Sequence, residues 1–191
     1  MKKKSLITSL AACALLSFSA QAADYKIDKK GMHAAIQFKI SHLGYSWLWG
    51  RFNDFEGEFS YDALQPNNSK VNVVINTASV DSNHERRDGH LRGKKFLNVK
   101  EFPQATFNST SFKTNKDGTH TLTGDLTIKG ITKSVDIAVN KLGEGKDPWG
   151  GYRVGFEGIT RIALKDFGIM KNLGEASKEL DIILSIEGIR K

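Results

Sequence analysis

From residue 54 to residue 61 the chain reads Asp54-Phe55-Glu56-Gly57-Glu58-Phe59-Ser60-Tyr61, with aromatic residues and glycine at odd positions and acids and serine at even ones. A period of two belongs to an extended strand with one apolar and one wetted face. Working outward, the same alternation recurs at Ala34, Ile36, Phe38 and Ile40, at Val71, Val73 and Ile75, and at Leu122, Gly124, Leu126 and Ile128. It continues at Val135, Ile137 and Val139, from Val154 through Leu164, and at Leu180, Ile182, Leu184 and Ile186. With the stretch from Gln104 to Phe112, these make eight expected strands.

The punctuation between them suits hairpins, with tight turns at Asp117-Gly118 and Lys129-Gly130 and a wider one at Asp147-Pro148-Trp149-Gly150-Gly151. Sequential antiparallel pairing is the economical topology. The exception is the long connection from Ala78 to Phe102. There Ser82-Asn83-His84-Glu85 has the form of a capping box and Gly93 supplies a stop, which predicts a short helix over 83–92. So polar a helix cannot fill a core and belongs on a rim or lid.

Eight antiparallel strands joined by short turns predict an all-β fold, an eight-stranded antiparallel up-and-down β-barrel with one short helical connection, since closure removes the exposed edges of an open sheet. Alternation alone does not say which face is inside. An eight-stranded outer-membrane barrel would turn the apolar face to lipid, but these strands lack paired aromatic girdles and the chain ends in Gly188-Ile189-Arg190-Lys191. The expectation is therefore a barrel with its apolar face inward, lined by Phe38, Ile40, Trp47, Phe59, Val73, Ile75, Phe107, Leu126, Ile137, Phe156, Ile162 and Leu184.

At 191 residues the chain has room for one domain, and 39% hydrophobic with 26% charged residues is globular composition. Residues 1–22 read as a secretory signal peptide: basic Met1-Lys2-Lys3-Lys4, an apolar run from Leu6 to Phe18, and Ala20-Gln21-Ala22 as the cleavage site. The expected domain is 23–191, in the periplasm. Its charge falls from the formal +7 to +4, because three lysines leave with the leader. That modest surplus, with basic and acidic residues interleaved, argues against a nucleic-acid partner. The one cysteine, Cys13, lies in the leader, so the exported domain forms no disulfide. A competing reading takes Leu10-Ala11-Ala12-Cys13 as a lipoprotein box, which would acylate Cys13.

Several blocks resemble the YceI family of bacterial secreted proteins: Tyr25-Lys26-Ile27-Asp28 followed by His33, His42-Leu43-Gly44, Gly50-Arg51-Phe52, Phe55-Glu56-Gly57, Arg87-Asp88-Gly89-His90-Leu91-Arg92, Phe102-Pro103-Gln104-Ala105-Thr106-Phe107, and Gly124 through Lys133. The resemblance spans essentially the whole exported chain. It implies a lipocalin-like barrel holding a polyisoprenoid or other long-chain lipid, such as an isoprenoid quinone or its precursor, with no cofactor and no established enzyme activity. Family members often carry Arg before the Asp-Phe-Gly turn, where this chain has Leu164-Lys165-Asp166-Phe167-Gly168, so no guanidinium role carries over there. The implied partner is the lipid. Because a bilayer suits its tail almost as well as the barrel does, transient membrane contact is expected by exchange, and the closed barrel, with no free edge, is expected as monomer or dimer.

Candidates for contact with a lipid head group are His42, Arg87, Asp88, His90 and Arg92, since one polar helix at a barrel mouth would present cationic donors. The plainer reading of this cluster is surface pairing, His84 with Asp88 and Asp88 with Arg92, each four apart. Catalysis and metal binding find little support. The five histidines form no H-x-H or H-E-x-x-H pair, and no G-x-S-x-G elbow is present. An enzyme acting on a lipid head group would rest on Arg87-Asp88-x-His90 alone.

Overall fold

A computed structural model describes residues 22–171 and 173–191. The expected signal peptide, Ala22 excepted, and the box at Cys13 lie outside the described residues. The strands are β1 (Ala23–Ile27), β2 (Ala35–His42), β3 (Ser46–Phe52), β4 (Phe55–Tyr61), β5 (Lys70–Asn76), β6 (Val80–Asp81), β7 (Gln104–Thr114), β8 (His120–Ile128), β9 (Ile131–Lys146), β10 (Tyr152–Ala163) and β11 (Glu179–Arg190). One helix, α1 (Glu85–Arg92), stands in the long connection.

Eight strands close an antiparallel ring: β1, β4, β5, β7, β8, β9, β10 and β11, which returns to β1. This is the expected barrel with one member exchanged. Alternation places β2 among the eight, yet β1 completes the ring, because β11 serves two partners on one edge. Its Gly188–Arg190 end pairs with β1 and its Leu180–Ser185 stretch with β2. Strand β2 then turns back into β3, whose last two residues pair with β6. Strands β2, β3 and β6 thus extend the wall at one end, where α1 also lies. Strand β3 escapes a period-two reading because Trp47, Leu48 and Trp49 are apolar on both faces.

The apolar face points inward, opposite to the arrangement in an outer-membrane barrel. In β8, His120, Leu122, Gly124 and Leu126 are buried, and in β9 Ile137 and Val139 are buried while Thr132, Ser134 and Asp136 are exposed. Two irregularities re-aim this alternation. The β7–β8 register slips between Ser109 and Ser111, so that Phe107 and Phe112, of opposite parity, are both buried, and the β9–β10 register slips between Gly155 and Phe156. The turn Lys129-Gly130 has positive φ at both residues, closing the β8–β9 hairpin as its sequence predicts.

The helix begins two residues later than expected. Its N-cap is His84, whose Nδ1 accepts from the Arg87 N–H at 3.3 Å, and not Ser82. The Ser82 hydroxyl instead donates to the carboxylate of Asp88 and accepts from Arg87 Nε at 2.7 Å, and Asn83 swings to φ +60° between them. Gly93 ends the helix as predicted, donating to the His90 carbonyl.

Candidate functional site

The barrel encloses an apolar cavity of about 910 Å³. Its walls explain why side chains do not simply fill it, as they fill many eight-stranded barrels. Leu180, Ile182, Leu184 and Ile186 all point inward from β11, yet each remains only partly buried, because they face open space. Glycines on the inner face also hold side chains back against the wall. A Cβ on Gly50 would lie 2.2 Å from Cζ of Phe38, its partner on the facing strand, and one on Gly188 would lie 2.3 Å from Cζ of Phe59, two strands away, so each ring lies over a glycine.

One end is sealed by aromatic packing. Tyr25 stacks on Phe59 with centroids 5.0 Å apart, and Phe156 meets Phe59 and Tyr61 edge-on at 5.9 and 5.2 Å. Burial raises the pKa of the Tyr25 phenol. Lys141 lies 5.2 Å from the Tyr61 ring centroid and donates to Glu144 at 2.8 Å. Nearby, burial lowers the pKa of His120, whose ring packs 4.8 Å from Phe112. Ser69 lines the cavity, is 4% exposed, and its hydroxyl has no hydrogen-bond partner.

The other end opens to solvent. Apart from Glu157, the exposed residues of the lining are His42, Leu43, His90, Lys171 and Gly174, drawn from the β2–β3 turn, helix α1 and the β10–β11 connection. Leu91, Phe96, Leu97, Phe167, Ile169 and Leu173 complete this mouth. Alternation could not find them, since they lie in the two long connections, although the apolar pair Phe96-Leu97 in an otherwise polar stretch was a usable signal.

Of the apolar residues singled out from the sequence, Phe38, Ile40, Phe59, Val73, Ile75, Phe107, Leu126, Ile137, Phe156, Ile162 and Leu184 line this cavity. Trp47 does not. The pairing of Ile40 with Leu48 and of Phe38 with Gly50 turns Leu48 inward and Trp47 outward, where Trp47 and Trp49 flank the ammonium of Lys39 at 4.8 and 5.9 Å. Among the polar candidates, His42, Arg87 and His90 reach the lining, while Asp88 and Arg92 do not.

The expected surface pairs on the helix give way to contacts with the segment that precedes it, of which those of Asp88 are buried. Asp88 is 6% exposed and accepts from the Ser82 backbone N–H at 2.8 Å as well as from its hydroxyl. Arg87 also donates to the Ser82 carbonyl, and Arg92 donates to the carbonyls of Ala78 and Val80 at 2.8 Å each. These guanidinium groups therefore fasten α1 to the strand edge.

A second charged cluster, on the outer wall, gathers Asp28, His33 and Glu187, whose ligand-type atoms lie within 4.8 Å of one another. Arg153 supplies the positive charge there, donating to Asp28 at 2.7 Å, Glu187 at 2.5 Å and Asp147 at 2.7 Å. Burial by itself would raise the pKa of Asp28. The hydrogen bonds from Gly31, Arg153 and His33 outweigh burial and hold it at about 2.

A model of the YceI-like domain matches residues 25–188. The chain belongs to the YceI family. The UPF0312 protein of Ectopseudomonas mendocina is 58% identical over 191 residues, covering all of both chains. Among solved structures, the YceI protein of Campylobacter jejuni aligns with a TM-score of 0.71 at 26% identity, covering 80% of this chain and 90% of that one. A domain from Saccharophagus degradans, described as polyisoprenoid binding and implicated in plant cell wall breakdown, aligns at 0.62 with 14% identity, covering 90% of this chain and all of that one. At that identity the likeness is one of fold. The YceI barrel is thus present here with its apolar interior and one open mouth.

Proposed function

We propose that this protein is a periplasmic carrier that holds a polyisoprenoid or comparably long-chain lipid, such as an isoprenoid quinone or its precursor, inside the barrel, and that it binds its cargo without transforming it. The single observation behind this reading is the apolar cavity of about 910 Å³, sealed by aromatic rings at one end and open at the other. Each methylene-sized group moved from water into such a lining gains about 0.8 kcal/mol, so even a partly inserted tail is held firmly. A bilayer offers the tail a similar gain, which leaves exchange near balance, as a carrier requires. The polyisoprenoid-binding description of the Saccharophagus degradans domain supports the ligand class, and the leader pattern at residues 1–22 supports export. His42, Arg87 and His90, at the mouth, are the candidate contacts for a head group.

Native mass spectrometry and organic extraction of the purified protein test the proposal. A co-purifying isoprenoid, or uptake of isoprenoid quinone by stripped protein, is the expected result. Failure of every preparation to carry or take up such a lipid would sink it, and steady conversion of the bound lipid would overturn the binding-only reading.

A further inference from the structure

The turn joining β2 to β3 is a tight hairpin, with the Tyr45 N–H bonded to the His42 carbonyl at 3.0 Å and φ of +57° at Leu43 and +82° at Gly44. Positive φ at both central positions defines the turn that Asn-Gly or Asp-Gly fills with least strain. Leucine there meets the steric conflict between its Cβ and the backbone that makes left-handed conformations unfavourable for ordinary residues. Core packing does not explain the choice, because Leu43 is 57% exposed and the adjoining Tyr45 87%. On the β10–β11 connection, Met170 is 76% exposed between Ile169 and Lys171, both of which line the cavity. Apolar side chains are therefore held out into water beside the opening through which an apolar ligand must pass.

Charge separates this end from the rest of the molecule. The described residues that build the mouth, in 42–46, 83–103, 164–171 and 173–178, hold nine Lys and Arg against five Asp and Glu. Their surplus of +4 equals that of the whole chain from residue 23 onward, so the remainder is balanced. Apolar residues and a tyrosine projecting among cations are the features of a surface that sits at the headgroup level of an anionic bilayer. A protein partner would call for a broad complementary patch, whereas a few projecting side chains suit a fluid lipid surface.

We propose that the mouth docks on an anionic lipid bilayer, with Leu43, Tyr45 and Met170 entering the headgroup layer so that cargo passes between membrane and cavity without crossing water. This rests on the carrier reading and names the surface from which the same cavity loads.

The test is flotation of the protein purified from residue 23 onward with vesicles of phosphatidylethanolamine and phosphatidylglycerol, against vesicles of phosphatidylcholine alone, at low and high salt. The lipid content of the same samples is measured in parallel. The expected result is binding several-fold stronger to the anionic vesicles and weakened by salt. In the double variant Tyr45→Ser, Met170→Ser, neither residue lining the cavity, flotation falls about tenfold while bound lipid is unchanged. Leu43→Asn lowers flotation and leaves thermal stability equal or higher, because asparagine suits the turn. Equal flotation of wild type and variants, or a loaded wild type that ignores anionic vesicles, overturns the docking proposal and leaves the carrier reading standing. A wild type that floats through Leu43 and Tyr45 yet never carries or takes up lipid supports docking and overturns the carrier reading.

Discussion

Gly50→Ala is a sharp test of how the cavity is kept open. A methyl on Gly50 would sit 2.2 Å from Cζ of Phe38 and 2.7 and 2.8 Å from the two Cε atoms, where ordinary contact begins at 3.4 Å. The ring must therefore retreat by more than an ångström. Phe38 is only 9% exposed, and its ring lies 6.0 Å from Phe52, so the free direction is into the cavity. Overpacking of this kind costs roughly 1–3 kcal/mol. For a domain of this size each kcal/mol lowers the melting temperature by about 2–4 °C, which puts the expected loss at several degrees. The displaced ring also takes up cavity space, so bound lipid should fall. The control is Gly143→Ala, where the added methyl meets nothing within 4 Å and should be nearly silent. Phe38→Leu on the Gly50→Ala background should recover part of the stability, and that non-additivity would mark a direct conflict. Thermal unfolding followed by circular dichroism, with lipid extraction from the same samples, provides the readout. If Gly50→Ala matches wild type in both, the ring does not depend on the glycine beneath it and the reasoning fails.

At neutral pH, Arg153→Met should cost about 3 kcal/mol in chemical denaturation, because it leaves the buried Asp28 and its neighbours uncompensated. Asp28 moves from an ordinary 3.8 in the unfolded chain to about 2 in the fold, so its stabilisation of about 2 kcal/mol is complete above roughly pH 5 and is lost as pH falls through about 2. The gap between wild type and Arg153→Met should narrow over that window, and a constant gap would contradict the assignment. Burial depresses the pKa of the base His120, so an earlier loss of stability should begin as pH drops below 6.5, and its persistence in His120→Gln would place its origin elsewhere. Ser69→Ala, which removes an unpartnered buried hydroxyl, should leave the lipid-free protein unchanged or more stable by up to about 1 kcal/mol, and a loss above that would show that the hydroxyl is satisfied in solution. Phe38→Asp puts an unpaired carboxylate into the apolar lining and should cost several kcal/mol by thermal unfolding. Lys39→Asp, silent if the outer face is inert, should instead be mildly destabilising, because Lys39 Nζ lies 3.5 Å from the buried Asp181 carboxylate.

Much of the barrel was legible in local pattern, because a strand with one face in oil and one in water must alternate whatever its partners are. Phe55 through Tyr61 and His120 through Ile128 show this, and turns such as Lys129-Gly130 carry their backbone conformation in their own residues. The same rule placed Phe38, Phe107 and Leu126 on the inner wall. What the rule could not see depends on distant pairing. Strand β1 takes the ring position, and not β2, because β11 is long enough to serve both, which is a matter of register between chain ends. Trp47 faces outward because Ile40 pairs with Leu48, and Phe112 faces inward because a bulge lies between Ser109 and Ser111. Arg87, Asp88 and Arg92 look like a surface charge cluster in sequence. Their partners, the Ser82 hydroxyl and the carbonyls of Ser82, Ala78 and Val80, are defined only once helix α1 is laid against β6. Alternation reports the environment of one strand, whereas register, bulges and buried polar partners are properties of pairs of elements and exist only in the folded barrel.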